Sequence, residues 1–354
     1  MKKSLLALAV LGTFAGVASA QSSVKLDGTV DLGLQTVKNG SAAGGSQQKS
    51  MINNGINSSQ FRVSGVEDLG GGLKAGFNLN SGVFADTGRS SSENGGKFWN
   101  RRATMSLMGG FGELRLGRDY TPTFWNQTLY DPFGTNGVGS YLGVFGQSNL
   151  GTNATTGVRA DNSIQYWTPA LGGFEAQVMV SANENAAAAS GNKYTGIRVN
   201  FAAGPFSIGA STGSTTVAPA SQADDKLKVS NFAASYKVGP AKLNVQLGQS
   251  KNGNVKEKAT QLGASVALGQ GALNFAYNRI DHSGGVGQFA DSADANHVAI
   301  GYTYNLSTRT AFYGTYASAK NKGASRYTVG GLTSTRMLND EKSNGLEVGL
   351  RHFF

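Results

Sequence analysis

The sequence predicts an all-β chain of 16 antiparallel strands closed into one barrel, polar inside and apolar outside. Three observations predict it. Apolar and polar residues alternate with a period of two from one end of the chain to the other. The connections between these runs switch regularly between very short and long. And no cysteine, linker, low-complexity tract or long helix-period segment appears in 354 residues.

The chain opens MKKSLLALAVLGTFAGVASA. Lys2 and Lys3 precede an apolar run from Leu5 that ends in Ala18-Ser19-Ala20, the pattern of a secretory leader cleaved after Ala20. Residues 1–20 are therefore expected to be a signal peptide, with the barrel spanning 21–354. Removing two of the 31 Lys+Arg leaves 29 against 21 Asp+Glu, a formal charge of +8. Without cysteine, an exported protein of this size is held together without disulfides. Past the leader no run of about 18 apolar residues exists, which excludes helical membrane spans.

The first strand shows the pattern. In 23–37, Val24, Leu26, Val30, Leu32 and Leu34 share one face, and Lys25, Asp27, Thr29, Asp31 and Gln35 the other. The same split recurs with Phe61 and Val63 against Arg62 and Ser64, and with Leu73, Ala75, Phe77 and Leu79 against Lys74, Asn78 and Asn80. Later strands repeat it: Phe174, Ala176, Val178 and Val180; Ile197, Val199 and Phe201 against Arg198 and Asn200; Val298, Ile300, Tyr302 and Tyr304. The chain ends in LEVGLRHFF, with Leu346, Val348, Leu350 and Phe354 in one register.

Short joints fall at Gly70-Gly71, Gly109-Gly110, Ala170-Leu171, Ala203-Gly204, Gly239-Pro240, Gly269–Gly271 and Asn305–Ser307. Long polar connections are expected over 38–56, 86–97, 183–193, 214–226, 250–258, 281–295 and 320–343, the last as a free surface loop. An even strand number with short turns on one side and long loops on the other describes a transmembrane barrel of the bacterial outer membrane. Lipid offers no partner to a bare peptide group, so such a sheet must close on itself.

One connection is oversized. Between GRDY at 117–120 and the strand resuming near Arg159, some 40 residues show neither period, so regular structure is not expected there. Tyr120, Phe124, Trp125, Tyr130, Phe133, Tyr141 and Phe145 give this segment too much aromatic content for a free loop. A barrel of 16 strands leaves a water-filled channel, and packing 119–158 into it gives the segment something to lie against.

The stretches GVEDLGGGLKAGFNLNSG, FGELRLGRDYTP, YDPFG, RADNSIQYWTPALGGF and GLRHFF resemble the general porins of β-proteobacteria. These are relatives of the neisserial porins, and this chain looks nearest to the anion-selective members of Comamonas and Delftia. The resemblance covers the whole mature chain. It implies a homotrimer in outer-membrane lipid and lipopolysaccharide, each barrel with its third extracellular loop folded into the lumen, passing small anionic solutes.

The resemblance also implies an arginine cluster on the wall opposite that loop. The matching positions are Arg101 or Arg102 in NRRATMSL, with Arg101 favoured, and Arg159 in GVRADNSIQY. Where many relatives have a further arginine this chain has Gln60, and Arg62, two positions on along the same face, takes its place. Asn80 stands where some relatives carry an acid. Arg115 and Arg198 face inward by alternation as weaker wall candidates. Asp131 in YDPFG is either a constriction acid or the cap of its own turn. A cationic wall facing a loop poor in acids favours anions. Phe354 matches the C-terminal signal read during barrel assembly.

Other classes find little footing. His282, His297 and His352 are expected in a loop, at a strand edge and at the lipid interface, with no Ser/His/Asp grouping and no metal-ligand spacing, so neither an enzyme nor a metal or other cofactor is expected. A solute-specific channel remains the alternative to a general one. The basic residues are dispersed over loops and wall, which argues against nucleic acid despite a pI near 9.6.

Overall fold

A computed structural model describes residues 23–40, 46–90, 96–146, 149–182, 192–217, 226–329 and 339–354; the expected leader lies outside the described residues. Eighteen strand segments occur among them: β1 (Ser23–Asn39), β2 (Ser46–Asn53), β3 (Gln60–Gly70), β4 (Leu73–Phe84), β5 (Arg89–Ser90), β6 (Arg102–Gly109), β7 (Gly112–Tyr120), β8 (Arg159–Trp167) and β9 (Phe174–Ser181), then β10 (Tyr194–Ala203), β11 (Phe206–Thr216), β12 (Lys226–Val238), β13 (Ala241–Asn252), β14 (Val255–Leu268), β15 (Gly271–Ser283), β16 (Ala295–Asn305), β17 (Thr310–Asn321) and β18 (Lys342–Phe353). All pairings are antiparallel between neighbours along the wall.

Eighteen segments make 16 staves. β1 pairs with β2 over Leu32–Asn39 and with β3 over Ser23–Thr29, so β2 and β3 together fill one position. β5 pairs only with the end of β4, and β4 passes directly to β6. The sheet closes where β1 meets β18, from Thr29 opposite Phe353 to Asn39 opposite Ser343. Beyond that ladder Gly28 and Phe354 exchange both backbone hydrogen bonds, each 3.1 Å long. This closed 16-stranded antiparallel barrel is the predicted fold.

Alternation sorts the side chains as expected. In β1, Val24, Leu26 and Leu34 are exposed on the outer face, while Thr29, Asp31 and Gln35 are buried on the inner one. At the short-turn end, exposed Phe111, Phe174, Phe206, Tyr236, Tyr304 and Phe312 ring the outer surface, an aromatic belt suited to a lipid–water boundary. Every short joint falls where expected. The glycines there supply positive φ, as at Gly70 and Gly204, where an L side chain would be strained.

The long connections need four corrections. The loop expected over 38–56 contains β2, and that over 250–258 does not exist, because β13 and β14 run on into a two-residue turn at Gly253-Asn254. Polar residues there continue the inward register rather than leave the wall. His282 belongs to β15 and is buried, not in a loop. The described part of 320–343 is not free either. Tyr327 is buried, its hydroxyl 3.2 Å from Glu257 Oε2 and 3.1 Å from His282 Nε2.

Lys38 and Asn344 are opposed across the β1–β18 ladder. Opposed antiparallel residues have Cα atoms about 4.5–5.5 Å apart, within disulfide reach. In this cysteine-free chain, mild oxidation of the Lys38→Cys/Asn344→Cys double variant should form a cross-link seen as a reducible gel shift. An open sheet would give none.

Candidate pore constriction

The connection between β7 and β8 is not wholly irregular: it begins with a helix, α1 (Pro122–Tyr130). Thr121 caps it, its hydroxyl accepting the Phe124 N–H at 3.4 Å, and Pro122 at the first turn has no N–H to leave unpaired. The helix is short and lacks a clean apolar stripe, so its period is faint. Thr-Pro was the available signal. Asp131-Pro132 stops it.

Asp131 then organises the turn beyond the helix. Its carboxylate accepts N–H bonds from Phe133 (3.1 Å), Thr135 (2.9 Å) and Tyr141 (2.9 Å), and the Gln261 amide at 3.4 Å. Burial pushes this carboxyl above its ordinary value, and the three backbone N–H groups pull against that rise. Of its two alternatives, Asp131 takes the capping geometry.

The described parts of 121–157 hydrogen-bond to side chains of the wall. The Asn126 amide donates to Asn231 Oδ1 (2.6 Å), and Asn231 returns a bond to Thr123 O (3.1 Å). Tyr130 Oη donates to Asn200 Oδ1 at 2.8 Å. Val138 N–H reaches Glu347 Oε2 (3.2 Å), and Val138 O accepts from His297 Nε2 (2.9 Å). A carbonyl only accepts, so His297 carries its proton on Nε2 while Nδ1 takes the Asn278 amide at 2.9 Å. Gly146 N–H donates to Glu257 Oε1 at 2.6 Å.

Apolar contacts fill the gaps between these bonds. Phe133 and Val138 cluster with Ala276, Ala299 and Ala317, and Tyr141 and Phe145 with Ala259, Ile280 and Tyr327. A side chain on Gly248 would meet Tyr141 and Phe145, one on Gly263 Pro132, and one on Gly345 Val138. Inward positions held by Gly and Ala thus trace the segment's path. That signal stood unread in the sequence.

Between segment and wall lies a cavity of about 610 Å³, whose lining includes Arg101, Arg159, Gln35, Asn53 and Glu347 and, from the segment, Thr135, Asn136, Gly137 and Ser140. Arg101 donates from Nε to Gln60 Oε1 (3.0 Å) and from Nη2 to Tyr120 Oη (2.8 Å). Arg159 Nη2 donates to the same hydroxyl at 2.9 Å, its guanidinium 4.4 Å from the ring centroid. Tyr120, which sequence reasoning counted only among the segment's aromatics, holds the two cations side by side.

The other four candidate arginines lie against carboxylates. Arg62 pairs with Asp27 (2.6 Å) and Arg198 with Glu175 (2.7 Å). Arg115 bridges Glu113 (2.9 Å) and Asp119 (2.7 Å), and Arg102 lies 3.0 Å from Thr104 Oγ1 and 3.4 Å from Asp119. Both Arg101 and Arg102 turn inward, but only Arg101 reaches the cavity. Gln60 bonds Arg101 and also accepts from Asn80 Nδ2 (2.8 Å), so the two departures from the family pattern form one neutral brace. Among the described residues, Arg101 and Arg159 have no carboxylate within ion-pair distance.

Asp131→Ala strands three N–H groups, a local cost of about 3 kcal/mol or more. Amide exchange at Phe133, Thr135 and Tyr141 should then quicken about a hundredfold while β12–β16 stay protected. Unchanged exchange would show that the carboxylate does not order the segment.

A family model described as Gram-negative porin matches residues 7–324. The chain is 40% identical over 368 residues to outer membrane porin protein 32 of Delftia acidovorans, covering 100% of both chains. It is 31% identical over 415 residues to an outer membrane porin protein of Bordetella pertussis, again covering 100% of each. Among solved structures, the anion-selective porin from Comamonas acidovorans superposes with a TM-score of 0.82 at 35% identity, over 94% of this chain and 100% of that one. The chain belongs to the Gram-negative porin family, and is an outer-membrane porin, a channel rather than an enzyme.

Proposed function

We propose that small hydrophilic solutes diffuse passively through this barrel, and that Arg101 and Arg159 make its constriction prefer anions. The observation that carries this reading is the sorting of the arginines. Four of the six candidates lie against carboxylates, whereas the two that front the cavity do not. Two uncompensated guanidiniums in a narrow opening attract anions and repel cations, and they keep their charge at any physiological pH.

The described parts of 121–157 complete the opening as the third long connection, folded into the lumen. Their bonds to Asn231, Glu347, His297 and Glu257, all in inward register, support that placement. The similar Comamonas acidovorans porin, described as anion-selective, favours the same preference. Export follows from the leader at 1–20, and the Gly28–Phe354 pairing suits Phe354 as a terminal assembly signal. A homotrimer in lipid and lipopolysaccharide completes the reading. An apolar outer-face groove of about 550 Å³, lined by Val24, Val66, Phe77 and Met105, offers a surface for a second copy.

In a planar bilayer under a salt gradient, the zero-current potential should carry the sign of anion preference. Arg101→Gln and Arg159→Gln should each reduce the anion-to-cation permeability ratio severalfold, and Arg198→Gln, outside the cavity lining, should reduce it less. A cation-selective wild type overturns the assignment.

A further inference from the structure

Resting on that anion-preferring reading, we propose that the constriction also discriminates among anions, favouring carboxylates with an apolar or aromatic body over polar ones of similar size. The cavity is not uniformly polar. Beside Arg101 and Arg159 runs an apolar arc of Ile52, Phe124, Leu142 and Val158, brought together from β2, α1, the segment beyond it and the residue before β8. A purely electrostatic filter needs only the cations. An apolar arc in a wet opening keeps poorly hydrated surface exposed, and an apolar solute body covers it.

The two kinds of surface are placed for one ligand. Tyr120 engages Nη2 of both arginines, and Nη1 of neither has a hydrogen-bond partner among the described residues. Donors thus remain for a carboxylate lying between the two guanidiniums. Phe124 stacks on Tyr120 with centroids 5.1 Å apart and planes at 14°, so an aromatic acid bound at the arginines finds a ring face already held in place beside them. The volume, about 610 Å³, lies within the range of small-molecule sites.

The test is block of the chloride current through wild-type protein in a planar bilayer by benzoate and by threonate, a polar monocarboxylate with as many heavy atoms. Benzoate should half-block at a concentration about tenfold lower. Phe124→Ala and Leu142→Asn should bring that ratio close to unity, and Arg159→Gln should weaken block by both anions. Equal block of the wild type by both overturns the selectivity among anions, and an anion-signed potential in the same experiment would leave the pore reading standing. A cation-signed potential overturns both.

Discussion

A bilayer gives an unpaired peptide group nothing to bond with, and the pairing of β1 with β18 is the chain's answer. Once the sheet has no edge, its two faces have fixed environments. The outer one must be apolar to meet lipid, and the inner one collects every charge and amide that the alternation turns inward. Those inward groups are crowded, so they pair with one another. Arg62 finds Asp27, Arg198 finds Glu175, and Arg115 finds both Glu113 and Asp119. Closure therefore sets the outer chemistry and also decides which cations remain uncompensated.

The same logic governs the described parts of 121–157. An irregular segment packed on a wall still has backbone groups to satisfy, and the wall supplies partners at Asn231, Gln246, His297, Glu347 and Glu257. Room comes from glycine and alanine at inward positions, where phenylalanine and tyrosine of the segment seat themselves. Asp131 ties the segment internally. Polar bonds fix its height on the wall, and small residues fix its path. The cavity is what these two constraints leave between the segment and Arg101 and Arg159.

Much of the fold was legible because a two-residue period is a local property. Val24, Leu26 and Leu34 announce a lipid-facing strand without knowledge of any neighbour, and glycine pairs mark the short joints. What escaped depended on partners. The polar run at 250–258 reads as a loop until β13 and β14 are seen to pair through Lys251 and Lys256. The helix α1 carries its signal in a single cap. Most of all, the sequence shows arginines but not which are neutralised, since Arg62 meets Asp27 across a strand pair 35 residues apart. Tyr120, holding Arg101 and Arg159 together, has the same cause: its role exists only once β7, β8 and the approach to β6 are adjacent.

The proposed anion preference requires ions to pass between the Arg101–Arg159 pair and the segment around Asn136. A single cysteine at that position tests the route most directly in a chain with none of its own. With Asn136→Cys protein in a bilayer, an anionic methanethiosulfonate reagent should react faster than a cationic one, and the modification should abolish most of the current. Complete modification with the conductance unchanged, or faster reaction with the cationic reagent, would contradict it.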